Sequence, residues 1–292
     1  MKKYSVGRII ISIIFIIMSI LFVIPFVLLI SISLSNEIDI GLYGYRFIPL
    51  NLDLAAYEFL MKNPMTIIDA YKVTIGSAVI GTALSVFLMS LIAYPLSKKG
   101  LKGRNGISFF VFFTMLFSGG LVPSYILITQ YLHLDDTFWV YIFPSLINAW
   151  NIFLLRTFFT SIPSAIIESA YLDGASEFRI FLTFILPLST PVLATVALMG
   201  ALGRWNDWFT SMLYINDPKL VTLQYLLQKI LLNMQLLQQE GMSLDMLGIK
   251  TELPAETVRM AMAVIAAGPM LLVFPFFQQY FVKGLTIGSV KG

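Results

Sequence analysis

The sequence predicts an all-α membrane protein with six transmembrane helices, and three observations carry that expectation. Charged residues make up 12% of the 292 and hydrophobic residues 58%, whereas soluble domains carry about 25% charged residues. Six apolar stretches are long enough to cross a bilayer, which takes about 20 residues. The basic residues gather in alternate connections between those stretches, as they do in polytopic membrane proteins.

Taken in order, the predicted spans are 9–34, 73–96, 107–132, 138–155, 187–213 and 258–281. The N-terminal Met-Lys-Lys-Tyr-Ser-Val-Gly-Arg followed by apolar residues has the outline of a signal peptide. Its apolar run, Ile9 to Ser35, is too long for one and lacks a small-x-small cleavage site, so an uncleaved first span is expected. The third stretch is interrupted by Gly119-Gly120 and Pro123, which predicts a kink or break. With the N-terminus in the cytoplasm, the inner side holds Lys2, Lys3, Arg8, Lys98, Lys99, Lys102, Arg104, Arg156, Arg179, Lys283 and Lys291. Of the acids it holds Glu168, Asp173 and Glu177 alone. This asymmetry predicts cytoplasmic N- and C-termini and a cytoplasmic segment 161–186.

Two outer segments are long. Segment 36–71 carries an extended, proline-bearing strip at Phe47–Leu52. Segment 216–257 contains LVTLQYLLQKILLNMQLLQQ, in which Gln224, Gln228, Gln235, Gln238 and Gln239 share one side of a 3.6-residue wheel. That pattern predicts an amphipathic helix over about 220–240 rather than a further span. Small residues recur every four positions inside the spans, as Ser77-Gly81-Ser85, Ala197-Ala201 and Ala263-Ala267. Such spacing lets helices approach closely in lipid.

The stretch Ser161–Leu188, SIPSAIIESAYLDGASEFRIFLTFILPL, is polar between apolar neighbours. Pro163 suits a first helical turn, with Ser161 and Ser164 as candidate caps. Gly174 stands where a helix needs a left-handed residue to stop, and Asp173 or Ser176 can cap a second helix running through Phe178 to Leu186. Two short helices about a glycine corner make a knob of the kind another protein grips.

Several chemistries are missing from the sequence. There is no G-x-x-x-x-G-K-[ST] phosphate loop, no H-E-x-x-H and no G-x-S-x-G. Cysteine is absent, and the single histidine, His133, lies beside Asp135 and Asp136 at an outer span end. Span interiors are nearly free of ionisable groups. The exceptions are Arg204 and Asp207, whose spacing suggests a local salt bridge at the outer rim. The chain thus carries no evident energy source: either another subunit supplies it, or the chain is a self-sufficient carrier or channel for a small polar solute.

The polar stretch resembles the EAA loop of ATP-binding-cassette import permeases, E-A-A-x3-G-x9-I-x-L-P. Glu168-Ser169-Ala170, Gly174 and Leu186-Pro187 stand at matching spacing, with Ser169 for alanine and Phe184 for isoleucine. The run FLLRTFFTSIPSAIIESAYLDGAS resembles the sugar-importer branch, specifically the second inner-membrane permease of the maltose type. Trp205-Asn206-Asp207 and the tail YFVKGLTIGSVKG are similar to it as well. The resemblance implies a permease subunit, not itself an enzyme, in a bacterial cell membrane. The implied partners are a second homologous permease, a cytoplasmic ATPase dimer that binds the ATP and magnesium, an extracellular solute-binding protein and a carbohydrate, with no nucleic acid among them.

Carried over residue by residue, the resemblance assigns ATPase coupling to Glu168, Ser169, Ala170, Asp173, Gly174, Ala175 and Pro187. Glu168 would meet a basic group on the ATPase, Ala170 would pack into its cleft, Gly174 would form the corner and Pro187 would mark entry into the fifth span. A carbohydrate path needs aromatic platforms beside amides or carboxylates. Two clusters qualify: Asn148, Trp150 and Asn151 in the fourth span, and Trp205, Asn206, Asp207 and Trp208 in the fifth.

Overall fold

The computed structural model describes residues 6–245 and 254–288, and among them every named element is helical. One isolated bridge, Ser35 with Leu52, is the sole extended pairing among the described residues. The chain packs as two compact units, Met1–Ile67 with Leu227–Leu271, and Ile68–Leu226 with Leu272–Gly292.

The first unit begins with α1, Val6–Ser33. Up to Val27 its described apolar residues face outward all round, as expected of a helix whose solvent is lipid, while Ile32 near its end is buried. The helix gives way to a chain reversal held by serines: Ser31 Oγ donates to the Arg46 carbonyl at 2.8 Å, and Ser33 Oγ shares a hydrogen bond with the Tyr57 hydroxyl at 2.9 Å. Asn36 caps α2, Glu37–Tyr43, by accepting from the Ile38 amide, while its Nδ2 donates to Asp53. The proline-bearing strip follows without regular structure and leads into α3, Ala55–Leu60.

In the same unit, Glu37 reaches the start of α14, Ala255–Gly288. Its carboxylate accepts from the Glu256 amide, the Thr257 amide and the Thr257 hydroxyl at 2.7 to 2.9 Å. A carboxylate at a helix N-terminus satisfies orphan donors and complements the helix dipole. Helix α13, Leu223–Asp245, covers the predicted amphipathic segment. Leu227 and Met234 are buried while Gln228 and Gln235 are exposed. Gln238 and Gln239 lie outside the residues whose side chains are described.

The second unit is built on α4, Pro64–Ser97, which begins well before the apolar run at Val73. The third apolar stretch is two pieces: α5, Arg104–Leu116, then α6, Leu121–Ile126, continued by a π-helical turn to Tyr131. They meet at 109°, with the break at Gly119-Gly120 and Gly120 in a left-handed φ of +83°.

The fourth stretch departs from a continuous span. Phe138–Ser145 forms two 3-10 turns, and α7, Ala149–Thr160, leaves them at 54°. Pro144 supplies no amide donor there, and Asn148 restarts the helix by accepting from the Asn151 amide at 3.1 Å.

After α7 come α8, Ser164–Leu172, and α9, Glu177–Ile180. A π turn, 181–185, and a short α10, Leu186–Leu188, continue α9. The chain then turns by 80° into α11, Thr190–Trp205. The predicted fifth stretch therefore starts earlier than Pro187, is broken at Ser189 where a continuous span is expected, and ends at Trp205 rather than at 213. Residues 209–214 form a separate helix, α12. By length and composition, α1, α4 and α14 can each cross a membrane, and each bent pair can serve as one further span.

Replacing Glu37 with alanine removes three hydrogen bonds at the start of α14. We expect a loss of about 1–3 kcal/mol in unfolding of the solubilised protein, with Glu37→Gln intermediate because it keeps one acceptor oxygen. A thermal or denaturant melt of the three proteins checks this, and unchanged melting of the alanine variant would contradict it.

Candidate functional site: a glycine elbow and a polar cavity

Two places on the second unit gather the residues singled out in the sequence. The first is the elbow between α8 and α9. Helix α8 starts at Pro163 without a side-chain cap. Ser161 instead donates to the Phe158 carbonyl at the end of α7, so neither predicted serine caps α8. The helix ends in a Schellman closure. The Ala175 amide donates to the Ala170 carbonyl and the Gly174 amide to the Tyr171 carbonyl, both at 3.0 Å. Gly174 has a φ of +74°, and a Cβ built there meets nothing within 4 Å. Backbone conformation, not space, demands glycine at the corner. Ser176, of the two candidates, caps α9, accepting from the Arg179 amide at 3.4 Å.

The elbow is tied to α4 by a polar knot. Lys98, just beyond α4, donates to Glu177 and, at 2.7 Å, to the Tyr171 hydroxyl. Its ammonium also sits 4.4 Å from the centre of the Tyr94 ring. Tyr94 donates to the same Glu177 oxygen at 3.0 Å, and Tyr171 donates to the other. Partial burial acts to lower the Lys98 pKa, but the hydrogen bonds to Glu177, Tyr171 and Tyr94 outweigh it and hold it above the ordinary lysine value. Beneath the knot, Ile180, Phe181 and Ile185 are buried with Met89, Leu96 and Phe159, and the Tyr94 and Phe181 ring centres lie 5.5 Å apart.

Among the residues the resemblance assigns to coupling, Glu168, Ser169, Asp173, Gly174 and Pro187 are exposed and Ala175 is half-buried. Ala170 differs: it is 4% exposed and belongs to the chain's own core. Its small side chain lets α8 lie close against the bundle. Leu172, 90% exposed at the tip, was not among the residues marked in the sequence. Its apolar side chain is fully presented beside Glu168 and Asp173. Leucines are common in this sequence, and only the helix geometry distinguishes this one.

The second place is a cavity of about 450 Å³ between α4, the 145–151 region and α11. It brings together Asn148, Trp150, Asn151 and Asp207 of the seven predicted path residues. The other three point elsewhere because α11 ends at this tripeptide and its residues wrap around the helix terminus. Trp205 is buried against Tyr71, with ring centres 6.4 Å apart. Asn206 folds back to donate to the Leu202 carbonyl, and Trp208 meets Phe209 edge-on.

Arg204 occupies the wall of this cavity, and its predicted pairing with Asp207 does not form: no carboxylate lies within 4.0 Å of it among the described residues. Its Nη2 donates to Ser85 Oγ at 2.7 Å, to the Ser145 carbonyl at 3.0 Å and to Ser145 Oγ at 3.1 Å. Asp207 instead accepts from the Thr210 amide and caps α12. The guanidinium turns inward because Gly81 leaves room for it: a Cβ at position 81 would stand 2.4 Å from Arg204 Nε. The series Ser77-Gly81-Ser85 thus seats an arginine as well as serving close packing. The signal that could have found this site was a lone cation in an apolar stretch opposite a glycine and a serine one turn apart.

No protein-family model matches the chain. Among curated proteins it is 40% identical over 270 residues to the polygalacturonan/rhamnogalacturonan transport system permease protein YtcP of Bacillus subtilis, covering 92% of each. It is 29% identical to the trehalose/maltose transport system permease protein MalG of Thermococcus litoralis, over the full length of both. Among solved structures it matches a chain of a bacterial ABC transporter involved in the import of the acidic polysaccharide alginate. The TM-score is 0.79 at 29% identity, covering 96% of this chain and all of that one. The all-helical fold, the elbow after α8 and these likenesses agree, and the chain belongs to the family of ABC sugar-transport permeases.

Proposed function

We propose that this chain is one of two permease subunits of an ATP-driven importer in a bacterial cell membrane. It crosses the bilayer six times with both termini in the cytoplasm, and with its sibling it forms the route for an oligosaccharide handed over by an extracellular binding protein. ATP and magnesium are held by the partner ATPase dimer. That dimer grips the elbow through Glu168, Leu172 and Asp173, with Ser169 beside them, and moves it as a rigid body.

The observation that carries this reading is the way the elbow is built. An exposed helix tip would move independently of the bundle unless something fixed it. Here a Schellman corner at Gly174 sets its angle, and Glu177 binds it to Tyr94 and Lys98 at the end of α4. Ala175 and buried Ala170 seat it from beneath. Motion imposed on the tip therefore reaches α4 directly. The basic bias of the elbow side supports its cytoplasmic placement. The names of the relatives, which are transport systems for polygalacturonan, trehalose or maltose, and arabinooligosaccharides, support a carbohydrate cargo.

Purification through a tag on this chain should bring down an ATPase and a second permease in stoichiometric amounts. Saccharide flux into liposomes containing this chain alone would instead point to a self-sufficient carrier. At the corner, a β-branched residue pays the full left-handed penalty of about 1–2 kcal/mol, whereas asparagine tolerates that conformation. We expect Gly174→Val to abolish uptake, Gly174→Asn to keep most of it, and both to insert normally. Equal uptake by the two would sever the corner from coupling. Lys98→Ala should cost about 1 kcal/mol of stability or less, since Glu177 is largely exposed. Uptake per ATP hydrolysed should nevertheless fall several-fold, measured in proteoliposomes.

A further inference from the structure

We propose that the cavity at Arg204 binds an anionic group on the transported saccharide, specifically a sugar carboxylate, an inference that rests on the permease function above. Arg204 is 8% exposed, and all its hydrogen-bond acceptors are neutral: Ser85, Ser145 and, at 3.4 Å, the Gly200 carbonyl. A guanidinium has five N–H donors. Its Nε, packed against Gly81, has no acceptor, and neither does the buried Thr82 hydroxyl beside the cavity. A buried charge is costly unless it is paired, and the pairing that would neutralise this one is not supplied by any described residue within ion-pair distance.

The geometry points to a ligand that completes the site. Arg204 is held in place by Gly81 and Gly200, where added Cβ atoms would lie 2.4 and 3.3 Å from its nitrogens. A preplaced guanidinium loses little freedom on binding, and Nη1, which gives one N–H to the Gly200 carbonyl, has a second to offer a carboxylate oxygen. The rest of the cavity suits the sugar that bears the acid. Asn148 and Asn151 offer amides to hydroxyls, and Trp150, 64% exposed, offers a ring to C–H faces. Asp207 sets an opposing charge on the same wall, which moderates the attraction so that the ligand can leave.

The test uses the assembled importer in nanodiscs without its binding protein, so that selectivity belongs to the membrane subunits. Calorimetry would compare trigalacturonate with its fully methyl-esterified form, equal in length and uncharged, and with a sulfated trisaccharide of equal charge. We expect the acid to bind at least about tenfold more tightly than the ester and more tightly than the sulfate. Arg204→Gln should erase the difference between acid and ester, and Arg204→Lys should retain part of it.

Arg204→Gln also removes structural hydrogen bonds, so Asp207→Asn provides the independent arm. Asparagine keeps the hydrogen bond from the Thr210 amide while removing a negative charge, and it should raise the preference for acid over ester several-fold. Equal binding of acid and ester by the wild type, failure of both to bind, or an unchanged preference in Asp207→Asn would each overturn the proposal. Tighter binding of the sulfate would overturn the carboxylate assignment. ATP hydrolysis stimulated by a sugar-loaded binding protein, measured in the same preparation, tests the permease function separately.

Discussion

The knot at Glu177 is the constraint on which the shape of the elbow depends. One carboxylate takes hydrogen bonds from Lys98, Tyr94 and Tyr171, and so joins the end of α4 to both arms of the elbow. The ion pair is half in solvent, and pairs of that kind add little to stability. Its contribution is geometric. Three donors converging from two elements leave the carboxylate one arrangement, and the core of Ile180, Phe181 and Ile185 below prevents α9 from sliding. In the coupling role proposed above, the elbow must be exposed enough to be gripped and fixed enough to transmit displacement. Chemically those demands conflict, since exposed helices of nine residues are marginal by themselves. The knot reconciles them.

Helix α4 connects this knot to the cavity. Ser85, which holds Arg204, and Lys98, which holds Glu177, lie thirteen residues apart along the same strut, a rise of about 20 Å. In the coupling proposed above, α4 carries displacement at the elbow, past the Pro95 in its last turn, toward Gly81 and Ser85, the arginine's seat. The π turn at 181–185 is the second link. It lies between the elbow and α10, and the 80° change of direction comes after both, at Ser189 before Thr190-Pro191. Arg204 stands at the far end of α11, and the two glycines that frame it, Gly81 and Gly200, belong to α4 and α11.

Much of this was legible in the sequence, for physical reasons that differ by residue. The Gly174 corner could be read because a left-handed position admits few residue types, and the break at Gly119-Gly120 could be read for the same reason. Hydropathy marked every apolar stretch because lipid imposes one strong requirement. It could not mark the bends at Asn148 and Ser189, since a broken helix in a bundle keeps its apolar composition while its backbone groups find local partners. The cavity was half legible. Asn148, Trp150, Asn151 and Asp207 announced themselves as polar groups in apolar surroundings, but which residues around the end of α11 face inward is decided by where the helix stops. Trp205 and Asn206, adjacent to Asp207 in sequence, are turned away by that one event.

Arg204 shows how a short-range rule misled. An arginine three residues before an aspartate reads as a local pair, because helical spacing brings i and i+3 together. That rule assumes that the helix continues. Here α11 ends at Trp205, which carries Asp207 into the cap of α12 and releases Arg204 to a different neighbourhood. The arginine then follows the space left by Gly81 and the oxygens of Ser85 and Ser145. The spacing of small residues on α4 had a ready explanation in helix packing, so nothing in the sequence alone joined positions 81 and 204. Three features drawn from distant parts of the chain thus specify one seat for a positive charge: a glycine that leaves space, a serine one turn further on, and a helix that stops just beyond the arginine.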